Sequence, residues 1–451
     1  MNRRSVSQFE RMTTTPVHKL VARLAVPTVL SMLITSIYNL ADTAFVGMIG
    51  TSASAAVGVV FGFMSIIQAV GFMFGQGSGS IISRLLGARN DEEATRTAST
   101  TFFLSLSIGV IFAVLGLLFR SRLVMTLGST ATIAPYARTY ITYILLACPF
   151  TMTSFVLNNI LRFEGKAALG MAGMMTGGIL NIVLDPLFIF VFKMGIGGAG
   201  LATGLSQFIG FMIQLFMFLS GRTQVKLSIR KITLAPVFIG NICATGLPSL
   251  LRQGLTSLAT VLLNSQAAIY GDEAVAALSI VNRIIFLIFS VGIGIGQGFQ
   301  PVCGFNYGAR RYDRVKDAFR FTCMLAQVII TGAAIVMFLV SNNLIQLFRN
   351  DPAVIEIGTR ALRLQCIALF FTPGSMITEM LFQSTGHKVG ASVLSSLRSG
   401  GFFIPAVLIL PAVRGLAGLQ EAQPLSFILA FIPAVIMAAW FFRHLPQKDA
   451  H

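Results

Sequence analysis

The stretch LVARLAVPTVLSMLITSIYNLADTAFVGMIG, Leu20–Gly50, decides how the rest of the chain is read. It is long enough to cross a bilayer, for which about 20 apolar residues suffice. Pro27 sits inside the helical run, where it removes a backbone hydrogen bond and invites a bend. Asp42 lies deep in the same run, where a carboxylate costs roughly 2.5–3.5 kcal/mol on insertion scales. A helix with a bend and a buried acid is a candidate moving, ion-binding element. The bland alternative is an acid near a helix end that snorkels to water.

Moving outward, runs of this kind recur to the end of the chain. The 451 residues are 55% hydrophobic and 11% charged, with mean hydropathy +0.80, which no soluble globular domain matches. Twelve apolar runs of spanning length can be counted, from about Leu20–Gly47 to Ala422–Phe442. The expected fold is therefore an all-α polytopic membrane protein of twelve transmembrane helices. The first run is too long for a signal-peptide core and is expected to be retained. The net charge of +17 does not point to nucleic acid. With the amino terminus inside, cytoplasmic segments carry 23 Lys or Arg and outer connections carry 8, the positive-inside pattern. Both termini are expected in the cytoplasm and the protein in the cell (plasma) membrane.

Sliding the chain on itself by 221 residues superposes Pro27 on Pro248, Gly75-Gln76-Gly77 on Gly296-Gln297-Gly298, and Gly87-Ala88-Arg89 on Gly308-Ala309-Arg310. Residues 27–89 and 248–310 share 18 identities in 63 positions without a gap. Six spans per copy, an even number, give two parallel repeats that enter the membrane in the same orientation. The expected division is an amino-terminal lobe over 1–220, a cytoplasmic linker over 221–235 and a carboxyl-terminal lobe over 236–451. Such duplication favours transport by alternating access, which needs two opposable halves.

The glycine-rich stretches GQGSGS at 75–80 and GIGIGQG at 292–298 lack the strand context of a dinucleotide loop and the GK[ST] of a Walker loop. They read as close helix packing. In NIVLDPLFIF, Asn181 and Asp185 are four apart and share a helix face, and Pro186 follows, so a bend is expected beside the acid. Counted from the membrane edges, Asp42, Asp185 and Thr203 fall at one depth, in the outer half. Two carboxylates, an amide and a hydroxyl at that depth argue for a hydrated pocket. The second repeat lacks this chemistry, since Leu263 stands opposite Asp42 and Ile404 opposite Asp185. Packing that survives without the acids argues that the acids serve function.

The remaining polar residues say less. Glu379 lies near the cytoplasmic end of its helix, where snorkelling or substrate contact are both open; Arg252 and Arg283 read as buried cations with helix or lipid-interface partners. The five cysteines show no CxxC spacing and the four histidines are scattered, so neither a disulfide framework nor a zinc site is indicated. No nucleophile or acid–base set at a membrane face points to an enzyme.

The LAVPTVLSMLITSIYNLADTAFVG opening, the repeated GQG and GAR, and ILRFEGKAALGM resemble the multidrug and toxic compound extrusion (MATE) transporters over essentially the whole chain. Asp42 with Asn181, Asp185 and Thr203 is similar to the cation-site pattern of the DinF-like bacterial branch. The resemblance implies two lobes arranged in a V about a central cleft. It also implies export of lipophilic, mostly cationic drugs or organic cations, coupled to inward H⁺ or Na⁺. It carries Asp42, Asp185, Asn181, Thr203 and Tyr38 as the ion-coupling set; Asp42, Asn181, Asp185 and Thr203 would be the metal ligands if Na⁺ is the ion. Pro27 and Pro186 are the hinge candidates, and Met64, Gln68, Phe155, Asn158 and Glu379 the cavity candidates. A cavity rich in Phe and Met, of which the chain has 38 and 19, suits varied ligands. No cofactor beyond the coupling ion, no nucleic-acid partner and a monomer in the lipid bilayer are expected. The seventh span lacks the acid of the NorM-like branch, which puts a site in the second lobe in doubt. The rival reading is a lipid-linked oligosaccharide flippase of the same superfamily, to which two carboxylates without an Arg/Lys cluster are poorly suited.

Overall fold

The computed structural model describes residues 7–446. The chain ends whose cytoplasmic placement is expected from the charge count, 1–6 and 447–451, lie outside the described residues. The first repeat runs α1 (Gln8–Thr14), α2 (Val17–Gly47), α3 (Thr51–Gly87), α4 (Asp91–Leu118), α5 (Arg120–Thr126), α6 (Ala134–Phe163), α7 (Ala167–Pro186) and α8 (Ile196–Leu219). The second runs α9 (Pro236–Ala268), α10 (Asp272–Gly308), α11 (Tyr312–Leu339), α12 (Ser341–Phe348), α13 (Pro352–Leu369), α14 (Thr372–Thr385), α15 (Lys388–Ser396), α16 (Phe403–Arg414) and α17 (Leu416–His444). No strand occurs among the described residues.

Ten of these stretches are long and apolar enough to cross a membrane. The other two expected spans are diluted or broken. Helix α9 carries Asn241, Arg252, Gln253 and Asn264. The run 354–382 divides into α13, with Glu356, Arg360 and Arg363, and the 14-residue α14. In α7 and α15 the helix gives way to a π-helical turn, Leu187–Val191 and Leu397–Gly401 respectively.

The duplication is written into the backbone. Arg89 and Arg310 both adopt a left-handed conformation, with φ of 58° and 57°. Each closes its helix in the same way, Asn90 N–H donating to Leu85 O and Arg311 N–H to Asn306 O at 2.8 Å. A side chain in this region costs roughly 1–2 kcal/mol, so the same strain at equivalent sites marks one inherited turn. Gly165 and Gly386 form a second such pair, at 80° and 86°.

The compact units do not follow the repeat boundary. One comprises Met1–Thr13 with Leu30–Leu250, the other Thr14–Val29 with Leu251–His451. Relative to lobes ending at 220 and starting at 236, the first halves of α2 and α9 are exchanged. The reason lies in the repeated GQG. A Cβ at Gly77 would run into Ile242 O, and one at Gly298 into the backbone of Ala25. Each small residue thus lets the first half of the other repeat's leading helix lie directly on it. Thr28 Oγ adds a 2.9 Å bond to Gly294 O. Both helices change unit two residues after a proline, at Val29–Leu30 beyond Pro27 and Leu250–Leu251 beyond Pro248.

The linker is fastened to the first unit. Glu164, which caps α6, accepts bonds from the amides of Gln224 and Val225, both 3.0 Å, and from Lys166 Nζ at 3.2 Å. Gln8 of α1 donates to its carbonyl at 2.9 Å. Ser99 and Thr100 take the amides of Ser228 and Thr233, each at 3.0 Å. Burial pushes the Glu164 carboxyl above the usual carboxylate range, against the pull of Lys166 and the two amides.

Candidate functional site

The site is assembled in the first unit from α2, α6, α7 and α8. Helices α7 and α8 approach closely because glycines face each other: a Cβ at Gly177 would lie 3.1 Å from Ser206 O, and one at Gly210 3.0 Å from Gly173 O. Gly178 admits α2, with Ile34 and Tyr38 at 3.0 and 3.3 Å from its would-be Cβ. This packing brings the polar residues of three helices to one place. Asn181 Nδ2 donates to Asp185 Oδ1 at 3.4 Å and to Thr203 Oγ1 at 3.3 Å. The carboxyl groups of Asp42 and Asp185 lie within hydrogen-bonding reach of each other. Asp185, Asn181 and Thr203 are buried, while Asp42 and Tyr38 are half-buried.

Two carboxylates this close cannot both stay ionised cheaply, so the pair invites one proton or one cation. Asp42 Oδ1, Asn181 Oδ1 and Asp185 Oδ2 are buried atoms with no hydrogen-bond partner. These three orphaned oxygens, two from carboxyl groups and one from an amide, are hard donors that fit a small cation such as Na⁺ as well as the two acids fit a shared proton. Asp185 is followed by Pro186 and the π turn, so the helix departs from α geometry directly beside the acid, as such turns often do at working sites. Two residues not singled out by the sequence also belong here. Tyr140 is fully buried with an unpartnered hydroxyl in reach of Thr203. Gln207, one helical turn after Thr203, reaches Tyr38; that i, i+4 spacing is a signal that could have found it.

A family model described as MatE matches residues 27–187 and again 248–407. The chain belongs to the MATE family. It is similar to the multidrug export protein MepA of Staphylococcus aureus, 28% identical over 424 residues that cover 94% of this chain and 93% of that protein. Among solved structures it is similar to a multidrug resistance MATE transporter in an outward-facing conformation, with a TM-score of 0.92 at 27% identity. That match covers 98% of this chain and 100% of that one. A transporter of the wider MOP superfamily from Pyrococcus furiosus matches with a TM-score of 0.91 at 27% identity, again over 98% and 100%.

Of the cavity candidates, Met64, Gln68, Phe155 and Asn158 of this MATE chain lie half-buried in the first unit, with Phe155 packed on Phe72 at 4.9 Å between ring centres. Glu379 stands apart from them. It belongs to the second unit and is fully buried. Arg252 Nη1 meets its Oε1 at 2.8 Å, Arg398 Nη2 its Oε2 at 3.0 Å, and Ser395 also donates to Oε1. Snorkelling is thereby replaced by a buried triad. Arg398, not singled out by the sequence, sits inside the membrane helix on the π turn. Arg283 is exposed on α10 rather than buried.

Proposed function

We propose that this MATE-family protein is a secondary antiporter. It exports lipophilic, mostly cationic small molecules by alternating access, in exchange for H⁺ or Na⁺ entering through the site of Asp42 and Asp185. The carrying observation is the carboxyl pair itself, with one orphaned oxygen on each acid and a third on Asn181, and no counterpart in the second repeat. Asn181 and Thr203 complete an oxygen shell, and Tyr38 borders it. In the wider reading the protein sits in the plasma membrane with both termini cytoplasmic and acts as a monomer. The similarity to multidrug export proteins supports the direction and the substrate class.

The bends serve the motion. Pro27 and Pro248 stand two residues before the chain changes unit and leave the carbonyl one turn earlier without its helical partner, so each helix is weakened just before it must yield. The test is efflux of a lipophilic cation from proteoliposomes after a pH jump and, separately, a sodium jump. Asp42→Asn and Asp185→Asn should each reduce ion-driven efflux to background while substrate binding stays measurable. Undiminished efflux in both variants and in the double variant would remove the pair from the mechanism.

A further inference from the structure

The second unit contains a buried charge cluster that the coupling site does not use. Arg252 and Arg398 flank one carboxylate, Glu379. Two guanidinium groups against one carboxylate leave one positive charge uncompensated inside a membrane helix bundle, an arrangement that is costly unless a further anion joins it. Arg398 is sealed, its side chain 4% exposed and its plane near the Phe289 ring. Arg252 is not, with 12% of its side chain reachable. Among the described residues Glu379 is the single protein partner of the Arg252 guanidinium, so further N–H groups of its fork can donate to a ligand.

One hydroxyl, that of Ser399, is a further donor on the neighbouring π turn. Thr256, one turn beyond Arg252, donates to Arg252 O at 2.7 Å and lies 3.3 Å from Ser399 Oγ. Ser399 accepts there and keeps its own O–H available. It follows Arg398 directly on the π turn, whose widened geometry sets both residues against α9. Thr256 is exposed and Ser399 half-buried, so the donors border open space rather than the core.

We infer that Arg252 and Ser399, backed by Arg398, form a binding site for a single anionic oxygen group, a carboxylate or a phosphate ester carried by an amphiphilic small molecule or a lipid. A fork of N–H donors suits planar carboxylate and phosphate oxygens, and the Ser399 hydroxyl, tied through Thr256 to the same stretch of α9, supplies a further donor. Glu379 holds both guanidinium groups in place and keeps the site's net charge at one, which favours monoanions over dianions.

The site is measured as binding, independently of transport. Purified protein in phosphatidylcholine nanodiscs is titrated with radiolabelled benzoate by equilibrium dialysis at fixed ionic strength. Saturable binding is expected in the wild type. Arg252→Gln should weaken it at least tenfold, and Ser399→Ala, which leaves the whole triad standing, by a smaller factor. Asp42→Asn, which tests the coupling site, should leave it intact. Nanodiscs containing phosphatidylglycerol tell the sources apart: suppression of benzoate binding identifies a lipid headgroup as occupant, and unchanged binding identifies a soluble anion. Absence of saturable binding in the wild type, or benzoate affinity equal to wild type in both Arg252→Gln and Ser399→Ala, overturns the proposal.

Discussion

The first unit sets two carboxyl groups against each other with no ion pair to either among the described residues, whereas the second sets one carboxylate between two guanidinium groups. Both centres lie inside membrane helices, and both stand beside a π turn, but on opposite sides of the repeated proline: Leu187–Val191 follows Pro186, while Leu397–Gly401 precedes Pro405. The first centre is short of positive charge, and under the proposed function a mobile cation supplies it. The second has its cations bonded to the chain and takes up none. One duplicated scaffold thus carries an unpaired carboxyl pair in one copy and a carboxylate fixed between two cations in the other.

The largest effect that could break this contrast is on stability. Removing the carboxylate from the second centre leaves two guanidinium groups unneutralised, and breaking a buried ion pair typically costs about 3–5 kcal/mol. Glu379→Gln should accordingly lower the melting temperature strongly, while Asp42→Asn, which relieves carboxyl repulsion, should leave it near that of the wild type. Equal melting temperatures for the two variants would show that the centres differ in composition only.

A smaller effect sharpens the contrast in motion. Proline within a helix is about 3 kcal/mol less favourable than alanine, so Pro27→Ala and Pro248→Ala should each raise stability. If the unit boundaries beside these prolines are where the helices yield, both should slow efflux severalfold. Stabilisation with a normal rate in both variants would assign the prolines to packing alone.

The smallest effect concerns the linker end of the first unit, where Glu164 holds Gln224 and Val225. The folded state holds the Glu164 carboxyl above its ordinary range by burial. Its contribution to stability is therefore complete below that range and is lost as pH rises through the ordinary value towards the raised one. The wild type should lose melting temperature relative to Glu164→Gln between pH 4 and pH 7. The equivalent turn of the second repeat, Thr385-Gly386-His387, has no carboxylate, and a hydroxyl-to-imidazole contact of 3.0 Å stands in its place; Thr385→Val should show no such carboxylate-range dependence.

The amino-terminal site was legible because charge and amide groups are rare in apolar runs, and because Asn181, Asp185 and Pro186 carry helical spacing in themselves. Tyr140 was not, since a tyrosine near a helix start reads as core. Arg398 was not singled out, since it lies within an apolar run of spanning length, and a π turn has no period that hydropathy can reveal. The spans at 236–268 and 354–382 show the limit of hydropathy from the other side, as their polar and charged residues dilute the signal. The exchange of half-helices was illegible for a different reason: the repeat fixes which residues correspond, but only packing at Gly77 and Gly298 decides which copy each half-helix joins.

That exchange bears on how the protein is made. The segment Thr14–Val29 leaves the ribosome among the first residues, yet the residues it packs on, Gly294 and Gly298, come about 265 residues later. At roughly 5–20 residues per second it waits on the order of 15–50 s in the bilayer without its native neighbours. Pro236–Leu250, by contrast, meets Gly77 as soon as it emerges. The amino-terminal unit is thus complete once residue 250 is inserted, whereas the other closes only when the oldest part of the chain docks onto newer helices. Cutting the gene at the linker would give two fragments, each lacking one half-helix of its own unit, with the glycine face at Gly77 or Gly298 left bare.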